Sequence, residues 1–432
     1  MRNTIRKYKF IAVSVFIIAL LFVEACNKST STITEKIVKP KPLKGELVLW
    51  CNKYDEAILS SIARSFEDKN HGVKIDILPV NETKIEEKLQ KLRDSGDTKN
   101  LPHVVEVNTE QVSYLVNEIP EIFKNITAPH TDILRWKLKE TSVDGENYAV
   151  PWNTDPKVML YNADLLKKYN IDPFNIKTWD DLAEYGKKLN GHGIKMFAEY
   201  SDGRNNNLLS VMLREQDLNV YNDENEIDID EDKLYRILAQ QKLLYQRGIV
   251  DKSGDQKQAI DKLMKGRAAA MIADESIIAA INSDSKYKNH NWQIERLPAF
   301  EPGGKNSACG YGKAFMRTNS PDNDIAGKFI QYVMGDREIN REIVSQKGYI
   351  TSSSDVYIYS YFNAGLKRFN NKKLFRFMSE VAEEEKPVIF GSDYSKIMRQ
   401  ISSLAQRVID NDNKKISDSE MIEKQVNDLM NK

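Results

Sequence analysis

The stretch YAVPWNTDPKVMLYN (residues 148–162) places a tryptophan, an amide, a hydroxyl and a carboxylate between two prolines, inside what otherwise reads as an apolar strand. Proline has no backbone donor and is tolerated where sheet pairing has ended, so the two prolines frame a polar interruption of the strand. Trp152, Asn153 and Asp155 in this interruption are therefore candidates for a position outside the core. The alternative is a buried tryptophan beside a capping aspartate.

Strand and helix patterns alternate in the hundred residues before this stretch. Three short apolar runs are typical of strands, and two segments with apolar residues three and four positions apart are typical of amphipathic helices. In chain order these are GELVLW (45–50), DEAILSSIARSFEDK (55–69), VKIDILPV (73–80), KIEEKLQKLRD (84–94) and HVVEV (103–107). This order predicts a parallel sheet with helices on both faces.

The alternation resumes after the interruption. TWDDLAEYGKKLN (178–190) and IDEDKLYRILAQQKLLYQRG (229–248) predict amphipathic helices, with Thr178 as the cap of the first and Gly248 as the stop of the second. RAAAMIA (267–273) predicts a buried strand, and the last 80 residues are mainly helical in pattern. The sequence as a whole therefore predicts an α/β fold.

Length and charge limit the possible classes of function. A chain of 432 residues exceeds the usual size of one core, so we expect two lobes of about 150 to 200 residues each. The 41% hydrophobic and 29% charged residues are ordinary for a globular protein, and the formal net charge is zero. A nucleic-acid-binding function is not expected, because the sequence has no basic stripe that could follow phosphates.

The N-terminal segment has the features of a secretory signal. Four basic residues precede a mostly apolar, uncharged run over residues 10–23, which is too short to span a bilayer comfortably. Cys26 follows a small residue at the end of this run, an arrangement that resembles the lipobox of bacterial lipoproteins. We therefore expect residues 1–26 to be a signal peptide, and lipid on Cys26 to hold the protein at an extracytoplasmic membrane face. An ordinary cleaved signal and an uncleaved anchor are the alternatives. Residues 27–44, rich in Ser, Thr, Lys and Pro, are expected to form a flexible tether.

Neither a metal site nor a cofactor is predicted. Cys51 and Cys309 belong to no CxxC motif, and the five histidines are scattered along the chain. Whether these two cysteines form a disulfide stays open, because sequence separation gives no distance between them. The acidic stretch 223–232 lacks the glycine of a calcium-binding loop, and we expect a solvated turn with Asp230 as a helix cap.

The order of several motifs resembles that of a known family. A lipoprotein signal and an alternating strand and helix half are followed by YAVPWNTDPKVMLYNADLL, TWDDLAEYGKKL, LMKGRAAAMIADESIIAAI, LPAFEPGG with GYGKAFM, and a helical C-terminal part. From residue 45 onward this succession is similar to that of the maltose-binding-protein-like solute-binding proteins of sugar-importing ABC transporters. The resemblance implies two hinge-linked α/β lobes with parallel or mixed sheets and helices on both faces. It also implies a ligand held in the cleft between the lobes, and no catalysis.

The resemblance further implies the limits of the lobes and a role for residues 148–162, which we call the opening stretch. The predicted limits are residues 45–153 plus 299–347 for the first lobe and residues 154–298 plus 348–432 for the second. The opening stretch would leave the first lobe and cross the hinge. Trp152 would then stack on a sugar ring while Asn153 and Asp155 bind hydroxyl groups.

Further candidate contacts follow the strands, because open α/β sheets bind ligands beyond the carboxyl ends of their strands. The additional candidates are Asn52, Tyr54, Glu82 and Asn108 in the first lobe, Asp274 and Glu275 in the second, and Tyr311 in the turn CGYGKAF. Helix caps and solvated side chains are the alternative for the residues that follow strands. For the two acidic residues at a helix start, the alternative is stabilisation by the helix dipole alone.

The sequence therefore predicts a monomeric, lipid-anchored receptor that captures an oligosaccharide by closing two lobes and delivers it to an ABC permease. Closure would be driven by the greater affinity of the ligand for the closed form. A carbohydrate-active enzyme such as a glycoside hydrolase is one alternative, because the separation of paired carboxylates cannot be read from sequence. The same fold binding a peptide, a polyamine or an anion is the other.

Overall fold

The structure is a computed structural model that describes residues 42–127, 131–200, 207–287, 289–321 and 324–410. The predicted signal peptide, its Cys26 and most of the predicted tether lie outside the described residues. Near the start of the described residues, Leu43 packs against the core of the first sheet. Among the described residues, no helix is long and apolar enough to cross a bilayer.

Strands and helices alternate along the described chain. The strands are β1 (Gly45–Cys51), β2 (Val73–Pro79), β3 (Val104–Asn108), β4 (Ser142–Val143), β5 (Glu146–Asn147), β6 (Ala149–Pro151), β7 (Pro156–Asn162), β8 (Lys195–Tyr200), β9 (Val250–Ser253), β10 (Ala268–Ala273), β11 (Trp292–Glu295), β12 (Ala308–Cys309) and β13 (Lys313–Arg317). The helices are α1 (Glu56–Lys69), α2 (Ile85–Asp94), α3 (Gln111–Glu118), α4 (Arg135–Lys139), α5 (Ala163–Lys168), α6 (Trp179–Asn190), α7 (Asn207–Glu215), α8 (Glu231–Gln246), α9 (Gln256–Met264), α10 (Glu275–Ser283), α11 (Asp324–Gly335), α12 (Arg337–Lys347), α13 (Leu374–Glu383) and α14 (Tyr394–Asp410).

The first large sheet has the strand order β2–β1–β3–β13–β6. Its first three strands in sequence are parallel to one another, as the alternating pattern predicts, whereas β13 runs antiparallel to both of its neighbours. Side chains alternate between the faces of a strand, so Leu47 and Leu49 of β1 pack on one face while Trp50 packs on the other. The sheet is therefore buried on both faces, which explains why its strands are apolar in sequence.

The second large sheet has the order β11–β7–β10–β8–β9, and β12 also pairs with β7. Strand β7 carries the end of the opening stretch and is buried at all seven residues. Its neighbours β10, β11 and β12 are antiparallel to it, whereas β8 lies parallel to β9 and β10. The mixed sheet, with helices packed on both faces, confirms the predicted α/β architecture.

Three segments within the described residues carry the chain between the two sheets, and we call them the crossing segments: residues 152–155, 310–312 and 348–353. The first joins β6 to β7 and the second joins β12 to β13. They are hydrogen-bonded to one another: the Gly310 N–H donates to the Asp155 carbonyl at 2.8 Å, and the Thr154 N–H donates to the Ile350 carbonyl at 2.9 Å. Strand β12, which the predicted limits place in the first lobe, pairs with β7 of the second sheet.

The predicted helix ends agree with the structure. Thr178 caps α6, and Asp181 returns the hydrogen bond to the Thr178 backbone, which completes a capping box. Asp230 caps α8 through the Lys233 N–H, so the acidic stretch ends in a helix cap as expected. Gly248 follows α8 with φ +66°, a conformation that glycine adopts without strain.

Candidate functional site

A cavity of about 600 Å³ lies between the two large sheets and the crossing segments. It faces the carboxyl ends of several parallel strands, where open α/β sheets bind ligands. Eight of the ten predicted ligand-binding residues line it, namely Asn52, Tyr54, Asn108, Asn153, Asp155, Asp274, Glu275 and Tyr311. Their ligand contacts remain predictions, but the structure brings these residues together from distant parts of the sequence.

The expectation that Trp152 presents its ring to the cleft is wrong. Its side chain is fully buried in the core of the first sheet. The indole stacks on Phe315 with ring centroids 5.2 Å apart and meets Tyr349 edge-on at 5.3 Å. The backbone of Trp152 does cross between the sheets, but its side chain turns back into the first core, where apolar burial outweighs any exposed role.

Glu82 lies beside the cavity and does not line it. Its Oε1 accepts a hydrogen bond from Asn108 Nδ2 at 2.8 Å, and Asn108 does line the cavity. Glu82 is thus placed to orient a predicted contact residue, and the predicted direct contact with ligand is not supported by this position.

Asn52 and Tyr54 follow β1 and form the first-sheet side of the cavity. Asn52 Oδ1 accepts from the Tyr54 N–H at 2.9 Å, which makes a local turn and leaves α1 without a side-chain cap from Asn52. The Asn52 N–H donates to Glu106 Oε2 at 2.8 Å. The Tyr54 side chain is 49% exposed, so its ring is accessible to a ligand.

Beneath this turn lies the fully buried Asp55. The Tyr349 hydroxyl donates to its Oδ1 at 2.8 Å, and the Lys313 ammonium pairs with its Oδ2. Burial, and next the charge of Asp55, raises the pKa of the neighbouring Glu106 to about 8. The first sheet therefore carries the buried carboxyl groups of Asp55 and Glu106, together with the partly buried Lys313, next to the cavity.

On the second-sheet side, Lys157 lies between two carboxylates. Its Nζ is 2.9 Å from Asp155 Oδ2 and 3.5 Å from Asp274 Oδ2. Burial raises the pKa of Asp155, although Lys157 opposes the shift. Burial also opposes ionisation of Asp274, but Lys157 and hydrogen bonds from Ser276 and the Ile277 N–H outweigh it and lower its pKa. Asp274 therefore both caps α10 and lines the cavity.

Glu275 joins two crossing segments. It is 2% exposed, its Oε1 accepts from the Asn153 side chain, and its Oε2 accepts from the Ile350 N–H at 2.6 Å. Burial, followed by the charge of Asp155, raises its pKa well above the usual range. A hinge position is expected where chain segments that link two lobes meet, and Glu275 ties two such segments to the start of α10.

The glycines beside Tyr311 are required by close backbone approach. A Cβ on Gly310 would lie 1.9 Å from Asp155 Oδ2, and one on Gly312 would lie 2.4 Å from the Asn153 carbonyl oxygen. Gly312 also has φ +63°. The glycines therefore let crossing segments pack against each other, while Tyr311 lines the cavity and its ring meets that of Tyr394 with centroids 6.1 Å apart.

Lys137, Glu140 and Arg214 form a buried ionic triad next to the cavity. Glu140, whose side chain is fully buried, lies 2.8 Å from Lys137 Nζ and 2.8 Å from Arg214 Nη2. Lys137 also donates to the Tyr311 carbonyl and to Thr109 Oγ1, which follows β3. The triad therefore links the end of a first-sheet strand, a crossing segment and α7, whose Arg214 lines the cavity.

Sequence reasoning missed several lining residues. Lys157 lies in residues 148–162 and Lys313 in the turn CGYGKAF, but in sequence each looks like an ordinary strand residue. Arg214, Tyr349 and Tyr394 come from helix or loop patterns without any motif, and only the three-dimensional arrangement assigns them to the cavity. One sequence signal points to a lining residue among them. Asp155 and Lys157 carry opposite charges two residues apart at the start of a strand, which is the spacing of an ion pair.

Cys51 and Cys309 are both free and buried, so no disulfide joins them. Cys309 lines the cavity, and its backbone N–H donates to Glu385 Oε2 at 2.7 Å. Within the described residues, no group of three or more His, Cys, Asp or Glu side chains is arranged to hold a metal ion.

The carboxyl group of Glu110 should make stability depend on pH. Burial, and next the charge of Glu82, raises its pKa from 4.5 to about 8. The native state therefore keeps a proton that the unfolded chain releases above about pH 4.5. The free energy of unfolding should fall between about pH 4.5 and pH 8, by up to about 1.4 kcal/mol per pH unit, and level off above pH 8.

Glu110→Gln should reduce this slope, and urea unfolding between pH 5 and pH 9 measures it. The slope should not vanish, because Glu106, with a pKa also raised to about 8, contributes in the same direction. An identical slope in wild type and variant would show that Glu110 is ionised in the native state.

Comparison with known proteins identifies the family. Residues 61–360 match the family model described as bacterial extracellular solute-binding protein. The lactose-binding protein of Rhizobium radiobacter is 21% identical over 319 residues, which cover 71% of this chain and 75% of that protein. The arabinooligosaccharide-binding protein of Bacillus subtilis is 22% identical over 269 residues, which cover 60% of this chain and 62% of that protein.

Solved structures with low sequence identity share the fold. The GacH receptor of Streptomyces glaucescens superposes with a TM-score of 0.70 at 15% identity, over 90% of this chain and 99% of that chain. The cyclic alpha-maltosyl-1,6-maltose binding protein of Arthrobacter globiformis gives a TM-score of 0.72 at 14% identity, with the same coverage. These likenesses confirm the two-lobe fold of the maltose-binding-protein-like group. Because the family model spans well over half of the sequence, the chain belongs to the family of bacterial extracellular solute-binding proteins.

Proposed function

We propose that this protein is a receptor that binds a carbohydrate, most simply an oligosaccharide, in the cavity between its two sheets. The observation that carries the proposal is the cavity itself, which side chains from both sheets and from the crossing segments line together. Relatives bind lactose and arabinooligosaccharides, as their names say, and solved structures of the same fold include complexes with acarbose, cycloalternan and maltopentaose. None of these relatives is named as an enzyme.

The chemistry of the lining suits a sugar. Hydroxyl groups need paired donors and acceptors, which Asn52, Asn108 and Ser210 can supply, and sugar ring faces need apolar aromatic surface. Tyr54 and Tyr394 supply such rings in place of Trp152. Closure of two lobes over these groups would exclude water and strengthen the hydrogen bonds.

An anionic ligand is the second candidate, because sn-glycerol-3-phosphate-binding proteins are 27 to 29% identical over about a third of this chain. The cavity disfavours it. Among the described residues, each cation that lines the cavity has a carboxylate partner: Lys157 pairs with Asp155 and Asp274, Lys313 with Asp55, and Arg214 with Glu140. An added anion would compete with those partners.

The cellular setting is proposed by the same reasoning. A family described as extracellular fits a protein exported by a signal over residues 1–26 and held to the membrane by lipid on Cys26. We propose that the receptor works as a monomer and delivers its solute to the permease of an ABC transporter. The lobe limits proposed here are those of the sequence prediction, with the late boundary moved to residues 310–312.

A thermal-shift screen followed by calorimetry tests the proposal. The purified protein should show a raised melting temperature with at least one of lactose, maltose, malto-oligosaccharides or arabinooligosaccharides, because a ligand at 100 times its Kd stabilises the native state by about 2.7 kcal/mol. sn-Glycerol-3-phosphate should cause no shift, and the bound sugar should be recovered unchanged.

Variants connect the binding to the cavity. Tyr394→Ala should weaken binding of that sugar by about 1 to 3 kcal/mol, with base–aromatic stacking as the nearest measured analogue. Phe174→Ala is the matched control, because Phe174 is 59% exposed and lies outside the cavity. A shift with sn-glycerol-3-phosphate alone would favour an anion receptor, and hydrolysis of the sugar would favour an enzyme.

A further inference from the structure

Helix α7 runs along the cavity, so the two ends of the cavity can be described by the two ends of the helix. Asn207, Ser210 and Leu213, spaced three residues apart, all line the cavity, so one face of the helix forms part of its wall. Asn207 and Leu213 are six residues apart, and their backbones are therefore separated by about 9 Å along the helix axis. The lining changes along this axis from amide and hydroxyl to aliphatic Leu213, next to which Arg214 also lines the cavity with its guanidinium paired to Glu140.

The N-terminal end of α7 borders the polar part of the cavity. Tyr200, the last residue of β8, lines the cavity and pairs across the sheet with Ser253 of β9. Asp255, two residues beyond that pair, lines the cavity as well. Strand ends and the start of α7 therefore present hydroxyl, amide and carboxylate groups at this end.

The C-terminal end of α7 borders an apolar wall. Leu218 and Val220 follow the helix, and Met398 lies on α14; all three line the cavity and belong to one buried core together with Leu213 and Val388. Their exposed fractions are 7% or less, so the wall is the edge of a packed core. We call these five residues the apolar wall.

We propose that the natural ligand is a glycoside with an apolar aglycone, an alkyl or aryl group, and that this group lies against the apolar wall while the sugar occupies the polar end. The inference rests on the proposed carbohydrate-binding function. A sugar hydroxyl against the wall would lose its hydrogen bonds to water without replacement. An apolar group there gains burial instead, and each buried methylene should tighten binding about three- to four-fold.

An alkyl-length series tests the proposal on the purified protein. Isothermal titration calorimetry compares lactose and maltose with their methyl, propyl and pentyl β-glycosides. For the sugar that binds, the Kd should fall about ten-fold for each two methylenes added, at a stoichiometry of one. The parent sugar should compete with the pentyl glycoside, because both occupy the same cavity.

Two variants locate the effect. Val220→Thr keeps the shape of the side chain but replaces a methyl group with a hydroxyl, so it should lower the dependence of Kd on chain length. Ile227→Thr also replaces an apolar β-branched side chain with threonine, at a residue that is 56% exposed and outside the cavity, and it should leave the dependence unchanged. Melting temperatures of both variants confirm that they are folded.

The outcomes separate this inference from the proposed function. A parent sugar that binds with the same Kd as its pentyl glycoside, or more tightly, overturns the inference and leaves the carbohydrate receptor standing. An equal chain-length dependence in wild type and folded Val220→Thr overturns the apolar wall as the place of the aglycone. If neither the parent sugars nor any glycoside binds, both the proposed function and the inference are contradicted.

Discussion

Replacing Lys157 with methionine should lower the free energy of unfolding by about 3 to 5 kcal/mol, the range for removing one partner of a buried ion pair. Lys157 is 8% exposed and lies within 3.5 Å of both Asp155 and Asp274. Methionine has similar length but no charge, so it would leave two carboxylates close together without a compensating cation. Loss of charge, and not loss of volume, is therefore the cause of the expected effect.

Urea unfolding followed by circular dichroism measures this change. Lys187→Met is the matched control, because Lys187 pairs with Glu184 on the exposed surface and should contribute little. In the Lys157 variant the two carboxyl groups should bind protons more readily, so their folded-state pKa values rise. Stability is then lost as pH rises, and the difference from wild type should be larger at pH 8 than at pH 5. A destabilisation that is the same at both values would point to packing as its cause.

The α/β fold could be predicted because local and global patterns agree. The parallel pairing of the first three strands follows from apolar runs separated by helical segments, and the structure has all five elements at the expected places. The pairing of β13 between β3 and β6 could not be predicted, because it joins segments more than 160 residues apart. No local pattern reports such a contact.

Residues that line the cavity could be predicted where their position along the chain determines their position in the sheet. Asn52, Asn108 and Asp274 follow strands whose carboxyl ends meet at the cavity, and the rule for open sheets finds them. The prediction that the Trp152 ring faces the cleft is wrong, because residue type alone does not determine the direction of a side chain. Its backbone crosses between the sheets as expected, but a large aromatic ring gains more from burial beside Phe315 than from exposure.

The crossing segments both connect the two sheets and line the cavity. Gly310 and Gly312 permit the backbones to touch, and Glu275 joins the first and third segments through Asn153 and Ile350. The same segments contribute Asn153, Asp155 and Tyr311 to the cavity. A ligand that contacts these residues therefore contacts the connections between the lobes, so its binding energy can act directly on their relative orientation.

Glu140→Ala should destabilise the protein by about 3 to 5 kcal/mol, again because one partner of a buried ionic group is removed. The loss would leave Lys137 and Arg214 as neighbouring buried cations. It would also remove the acceptor of the Val388 N–H, whose distance to Glu140 Oε1 is 3.2 Å. Glu184→Ala serves as the surface control, since Glu184 pairs with Lys187 and Arg247 in solvent and its loss should change stability little.

A triple variant distinguishes charge imbalance from a general loss of contacts. Lys137→Met, Glu140→Leu and Arg214→Met together replace the triad with apolar side chains of similar size. Such replacements are often neutral or stabilising, because the cost of burying charges disappears with them. The triple variant should therefore recover most of the stability lost in Glu140→Ala, as measured by urea unfolding. It should nevertheless bind ligand more weakly, because Arg214 lines the cavity. A triple variant as unstable as Glu140→Ala would show that the triad stabilises the fold through its specific hydrogen bonds.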